Sequence, residues 1–321
     1  MTESEQAANP GGFNVIAMFH PSHRVTSLVE VEDFFERVFG RNSARLNVLT
    51  GVEVQNPDFR MDYSTFTTVR EVIFDSIDPT RLVRGGNRLY PDVTVSHLNG
   101  LGWYVDGMPE AFRSLKAAGF TIVGQDDKVA EGDDPPTVIG APMPMFWTTP
   151  ESAGLRYQFV PKVPMPGDKR MQDGWKLAPT SPYDPLGLEF CSHHTILTSQ
   201  PDRAKRLFVE GLRGTVIHEG RDEARQTAST YIHLGDGVYE FAVPDEGSAA
   251  YADWQSNPAP ADTYHALTWK VQDLGQVEQR LADQGVGIAA RTDDTIITDP
   301  ATSIGIPWGF TTSLVPGDPR G

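Results

Sequence analysis

The side chains of this sequence best suited to chemistry are imidazoles and carboxylates set in short β-branched and aromatic runs. His193 and His194 lie together in FCSHHTIL, Glu240 lies in VYEFAVP, and His265 lies in YHALTW. Tyr231 and His233 share TYIHLGDG. Neutral imidazole and carboxylate are ligands for divalent first-row metals. A site that takes only three of them from the protein keeps positions open for water or substrate. A histidine also titrates near working pH and can move a proton, which makes His233, with Tyr231 beside it, a candidate acid/base group. Side chains alternate along a strand, so only one of His193 and His194 can share a face with a given partner. Cys191 is the single cysteine, so the chain holds no internal disulfide.

These residues need elements to hold them, and the chain supplies a repeating set. Phe190 to Gly214 reads as a β-branched run, a Pro-Asp helix start, Leu207, Phe208 and Leu212 at helical spacing, and a glycine stop. Phe19 to Gly40 reads the same way. Superimposing Gly40 on Gly214 puts Phe34 on Phe208 and His20 on His194. A second pair of segments, Leu98 to Phe120 and Tyr264 to Val286, aligns at a constant offset of 166, with Leu101 on Leu267, Trp103 on Trp269, Val105 on Val271, Leu115 on Leu281 and Gly119 on Gly285. Short β-rich runs follow each segment. The expected order is strand, helix, then three strands, four times over, in modules near 13–80, 95–161, 188–245 and 262–315. The proline-rich stretch from Pro161 to Pro185 is a poor strand or helix and is placed as a linker (162–187) between an N-terminal domain, 13–161, and a C-terminal domain, 188–315.

Composition narrows the function. The formal net charge is −16 and the isoelectric point about 4.8. Nothing supplies the basic face that a nucleic-acid partner requires. No apolar run is long enough to span a membrane, and the polar, acidic residues 1–12 lack a signal-peptide pattern and read as a disordered tail. The expected partner is a small-molecule substrate, with no nucleic acid and no membrane, and the expected location is cytoplasmic. Assembly into a homo-oligomer is compatible with the sequence but not specified by it.

The opening His-led strands, the helices ending on glycine, the last strands reading VYEFAVP or LRYQFV, and the turns at Thr149-Pro150 and Asp299-Pro300 together resemble the vicinal oxygen chelate superfamily, which includes glyoxalases, bleomycin-resistance proteins and extradiol dioxygenases. The resemblance covers nearly the whole chain. It implies an α+β fold of four βαβββ modules paired into two domains, each a half-open cup of sheet. It also implies that first and last strands of paired modules supply ligands to a divalent metal (Fe, Mn, Co, Ni or Zn). Carried onto this chain, the second cup takes His194, Glu240 and His265, with Gly309 at the fourth corner. The first cup takes His20, Asp75, Asn99 and Gln158, a weaker set that reads as a degenerate copy, with His23 and His97 close by. The implied activity is metal-dependent isomerisation, epimerisation, lysis or ring opening of a small oxygenated substrate. The alternatives are an Fe(II)-dependent ring-cleaving dioxygenase and a metal-free small-molecule binding protein.

Overall fold

The computed structural model describes residues 12–51, 60–84, 87–88, 90–138, 141–163, 168–256 and 261–321. Most of the expected N-terminal tail, residues 1–11, lies outside them. The first half runs β1 (Asn14–Arg24), α1 (Leu28–Phe34), β2 (Ser43–Arg45), α2 (Leu46–Thr50), β3 (Ser64–Val69), β4 (Val72–Ile77), β5 (Val83–Arg84), β6 (Asn87–Arg88), β7 (His97–Asp106), α3 (Met108–Ala117), β8 (Ile122–Val123), β9 (Phe146–Thr148), α4 (Pro150–Ala153) and β10 (Tyr157–Pro161). The second half runs β11 (Leu188–Leu197), α5 (Pro201–Lys205), β12 (Thr215–Asp222), β13 (Thr227–Leu234), β14 (Gly237–Pro244), α6 (Ala249–Ser256), β15 (Thr263–Val271), α7 (Leu274–Asp283), β16 (Ile288–Arg291), β17 (Thr295–Thr298) and β18 (Gly309–Thr311).

Each half forms one eight-stranded sheet, in the orders β2-β3-β4-β1-β7-β10-β9-β8 and β12-β13-β14-β11-β15-β18-β17-β16. The two orders are the same, and each is symmetric about its central antiparallel pair, β1–β7 or β11–β15. This is the expected α+β fold of four strand-helix-three-strand modules. No helix among the described residues is long and apolar enough to cross a membrane.

The helices form where the apolar spacing and caps direct them. In α1 the Ser27 side chain accepts from the Glu30 amide, and Leu28, Val31 and Phe34 are buried. In α7 Asp273 caps, Leu274, Val277 and Leu281 are buried, and Gly285 follows at φ 69°. Both α1 and α5 widen into a π-helical turn, at Phe35–Phe39 and Arg206–Gly211. Consecutive apolar residues are buried there, Phe34 and Phe35 in the first half and Leu207 and Phe208 in the second.

The halves share one core. Phe34, Phe35, Phe39 and Phe74 pack on Trp308, and Trp103 of the first half packs on Phe208 and Tyr239 of the second. The buried Trp103 Nε1–H donates to Tyr239 Oη at 2.6 Å.

Two hairpins cross between the halves as a reciprocal pair. At the turn between β3 and β4, Glu71 accepts the backbone N–H of Cys191 at 2.6 Å. At the turn between β13 and β14, Asp236 accepts the backbone N–H of Met18 at 2.9 Å. Each turn starts on a residue of positive φ, Arg70 at 53° and Gly235 at 63°. Burial pushes both carboxyls up, Glu71 to about 7.

The duplication also reaches into the segment expected to be a linker. Asp168 and Arg170 pair there, and Arg170 donates to the carbonyls of Met18 and Phe19. Asp318 and Arg320 repeat this near the C-terminus, with Arg320 donating to the carbonyls of Cys191 and Ser192. The described part of the proline-rich segment therefore carries a clamp on β1 as well as connecting the halves.

Replacing Asp236 by Ala leaves the Met18 N–H without its acceptor, which should cost about 1–3 kcal/mol in urea unfolding, while Asp236→Asn keeps an acceptor and should cost less. Equal stability of the two variants would show that the contact contributes nothing.

Candidate metal centre

The second sheet gathers its polar side chains on the face that carries Glu240. On β14, Glu240 is fully buried and pairs with Thr195 on β11 and Tyr231 on β13. Laterally paired residues share a face, so these three side chains meet. Thr195 Oγ1 donates to Glu240 Oε2 at 2.6 Å, and Ser229 Oγ and Tyr231 Oη donate to Oε1 at 2.6 and 2.9 Å. Three donors hold the carboxylate in one orientation. Burial, and then the Glu240 charge, raise Tyr231 above the usual tyrosine range, so its hydroxyl stays protonated and donates.

His193 is two residues before Thr195 and lies on the same face. Its Nε2 is 3.5 Å from Glu240 Oε2 and has no hydrogen-bond partner, while Nδ1 is 3.1 Å from Ser192 Oγ. Desolvation pushes its pKa down, which keeps the ring neutral with a lone pair available. Asp222, at the end of β12, completes the group. One ligand atom from each of His193, Asp222 and Glu240 lies within 4.8 Å of the others, and among the described residues this is the cluster of three with that geometry. Burial, followed by repulsion from Glu240, raises the Asp222 pKa.

The remaining expected ligands lie elsewhere. His194 pairs with Tyr239, stacks on its ring, and shares a hydrogen bond between Nδ1 and Tyr264 Oη at 2.7 Å, so it belongs to the core face and not to the face of Glu240. Alternation along β11 therefore puts His193, and not His194, on the face of Glu240. In the first half the left-handed residue that ends the helix is Gly40, at φ 65°. In the second half that conformation falls on Arg213, at φ 66°, and Gly214 is the next residue. Counting back twenty residues from Arg213 gives His193. The ladders agree: Ser22 pairs with Asp75 as Thr195 pairs with Glu240, and His20 pairs with Gly102 as His193 pairs with Thr268.

His265 falls in a β-bulge, between Ala266, which pairs with Thr195, and Tyr264, which pairs with Ile196. Its Nδ1 is 2.6 Å from Asp253 Oδ2 on α6, and it is absent from the three-ligand cluster. His233 is half-buried near the C-terminal segment, where it feels Arg320 and Asp318, and makes no side-chain hydrogen bond among the described residues. Tyr231 does reach the cluster, as a donor to Glu240. Gly309 pairs with Thr268 as Gln158 pairs with Gly102, the correspondence expected for the fourth corner.

Two residues at the site carried no signal in the periodicity. Asp222 closes a strand that is largely exposed. Arg225 follows it on the hairpin and returns into the cup, where Nη2 donates to Thr268 Oγ1 at 3.3 Å and to the Pro307 carbonyl at 3.2 Å. The count from Arg213 to His193 would have been readable had a non-glycine helix end been allowed.

The first cup holds His20 Nε2 at 3.9 Å from Asp75 Oδ2, with Gln158 turned to Met145 Sδ at 3.4 Å. His23 is tied across the halves to the Ile304 carbonyl at 3.0 Å. Burial pushes Asp75 up to about 7 and, with Arg170, pushes His20 down to about 3. A carboxyl raised in the folded state contributes stability that is complete at low pH and lost as pH rises through its folded value. Asp75→Asn should therefore stabilise the protein relative to wild type at pH 8 and not at pH 4, as read by thermal unfolding. A stability difference independent of pH would contradict the raised value.

No family model and no curated protein matches the sequence. Solved structures do match in shape. A mutant of 4-hydroxymandelate synthase from Streptomyces coelicolor is 13% identical with a TM-score of 0.59, covering 94% of each chain. The Mn(II)-bound glyoxalase from Novosphingobium aromaticivorans is 12% identical at 0.56, over 96% of this chain and 86% of its own. A 2,3-dioxygenase from Pseudomonas sp. KL28 is 12% identical at 0.55, over 96% of each chain. At these identities the likeness is one of fold, which this chain shares with the synthase, the glyoxalase and the dioxygenase.

Proposed function

We propose that this chain is a metal-dependent enzyme of the vicinal oxygen chelate type, with His193, Asp222 and Glu240 holding a divalent cation. The observation that carries this reading is the buried His193 Nε2, which has no hydrogen-bond partner and lies 3.5 Å from Glu240 Oε2 with Asp222 completing the triangle. A buried polar atom left unpaired costs about 1–3 kcal/mol, and coordination of a cation is one way to offset that cost. One imidazole and two carboxylates form an oxygen-rich set that favours Mn(II) or Fe(II) over softer ions. That a similarly folded glyoxalase carries Mn(II) supports the same choice.

The ion would supply Lewis acidity to two neighbouring oxygens of a small organic substrate. The protein's own part is positional. Thr195, Ser229 and Tyr231 hold Glu240 in place, and Tyr231 serves as a donor rather than a base. This fits isomerase, epimerase or lyase chemistry better than ring cleavage. The resemblance expects a ring-cleaving dioxygenase to take a carboxylate from the last strand of the fourth module, and Gly309 stands there. Metal-free small-molecule binding is the reading to fall back on.

Metal analysis after loading with Mn(II) tests the proposal. His193→Ala and Glu240→Ala should weaken Mn(II) binding by more than the roughly 10–100-fold lost with an outer-shell partner, while His194→Gln should retain it. Wild-type protein that takes up no divalent metal would leave the metal-free reading. Loss of metal in His194→Gln alone would return the site to the original register.

A further inference from the structure

Arg225 is 4% exposed and lies inside the cup rather than on its rim. Its backbone N–H donates to Asp222 Oδ1 at 3.0 Å, and its Nε lies 3.8 Å from Asp222 Oδ2. Nη2 is occupied by Thr268 and Pro307, but Nε and Nη1 have no hydrogen-bond partner. A buried guanidinium whose Nε and Nη1 make no hydrogen bond, with Asp222 only as near as 3.8 Å, is costly unless a closer anion joins it.

The place it fills is informative. A Cβ on Gly309 would lie 2.9 Å from Arg225 Nη2 and would collide with Thr268 Oγ1. Gly309 stands at the fourth corner of the cup, so the guanidinium occupies the space that a fourth protein ligand would use. A cation takes the place of a ligand, next to a cluster that is itself proposed to hold a cation. Counting Asp222 and Glu240 as −1 each, Arg225 as +1 and a divalent ion as +2, the loaded cup carries +1. A monoanionic ligand neutralises it, whereas a neutral ligand leaves the excess charge buried.

Resting on the metal-centre reading above, we propose that Arg225 binds the carboxylate of the substrate, and that the substrate class is a small 2-hydroxy or 2-oxo carboxylate. Such a molecule has two adjacent oxygens for the ion and a negative charge for the guanidinium. Arg225 is thus the residue that selects acids over their neutral analogues.

The test uses glycolate and glycolamide, which share the same hydroxyl-carbonyl pair and differ in charge. Affinities for the Mn(II)-loaded protein are measured by calorimetry for wild type, Arg225→Met and Arg225→Lys. The ratio of glycolate to glycolamide affinity should fall about tenfold or more in Arg225→Met, as expected for losing a charge-assisted hydrogen bond, and recover in part in Arg225→Lys. An unchanged ratio in Arg225→Met, or in the equally uncharged Arg225→Gln should the first variant not fold, overturns the proposal. If wild type binds no Mn(II), the metal-centre reading fails. The role of Arg225 is then decided in metal-free protein: glycolate binding lost in Arg225→Met sustains it, and no glycolate binding by wild type overturns it.

Discussion

The two sheets are tied together by carboxylates that each half lends to the other. Glu71 reaches from the first half to the Cys191 amide at the start of the second cup, and Asp236 reaches back to the Met18 amide at the start of the first. Met18 and Cys191 each lie two residues before His20 and His193 on the central strands, so the contacts hold each strand in register just ahead of its histidine. Arg170 and Arg320 grip the adjacent carbonyls of the same strands. A slip of one residue there would exchange His193 for His194 on the cup face.

Magnitudes separate the tasks of the two kinds of contact. Truncating a buried aromatic such as Trp103 or Trp308 costs about 3–5 kcal/mol, against about 1–3 kcal/mol for leaving a buried amide unpaired. The shared aromatic core therefore supplies most of the cohesion between halves. The carboxylates and arginines contribute less energy, but they are directional, and direction is what a metal site requires.

The fold was legible because it is written four times: strand, amphipathic helix and turn recur at two constant offsets. The 166-residue offset places Gly102 against Thr268, and the match of GLRYQF with GIPWGF places Gln158 against Gly309, as the ladders do. The place of Glu240 on the last strand of its module was legible for the same reason. The site failed in two places for local reasons. A glycine was taken as the marker of a helix end, but the left-handed position belongs to Arg213, so the neighbouring histidine was chosen. A bulge at His265 broke the alternation that would have carried it into the cup. Asp222 and Arg225 arrive from a hairpin whose strand is mostly exposed, where no periodicity points inward.

The reciprocity of Glu71 and Asp236 has the form of an isologous contact: the same patch on two equivalent bodies, each giving to the other what it receives. Symmetric dimers make such contacts, and a single chain has no need to. The clamp of Asp168 and Arg170, repeated as Asp318 and Arg320, has the same character. The chain is thus built like a homodimer joined end to end, and the joining lets the two cups carry different side chains without loosening the pair. Among the described residues, the first cup holds the His20–Asp75 couple where the second brings together His193, Asp222, Glu240 and a buried arginine.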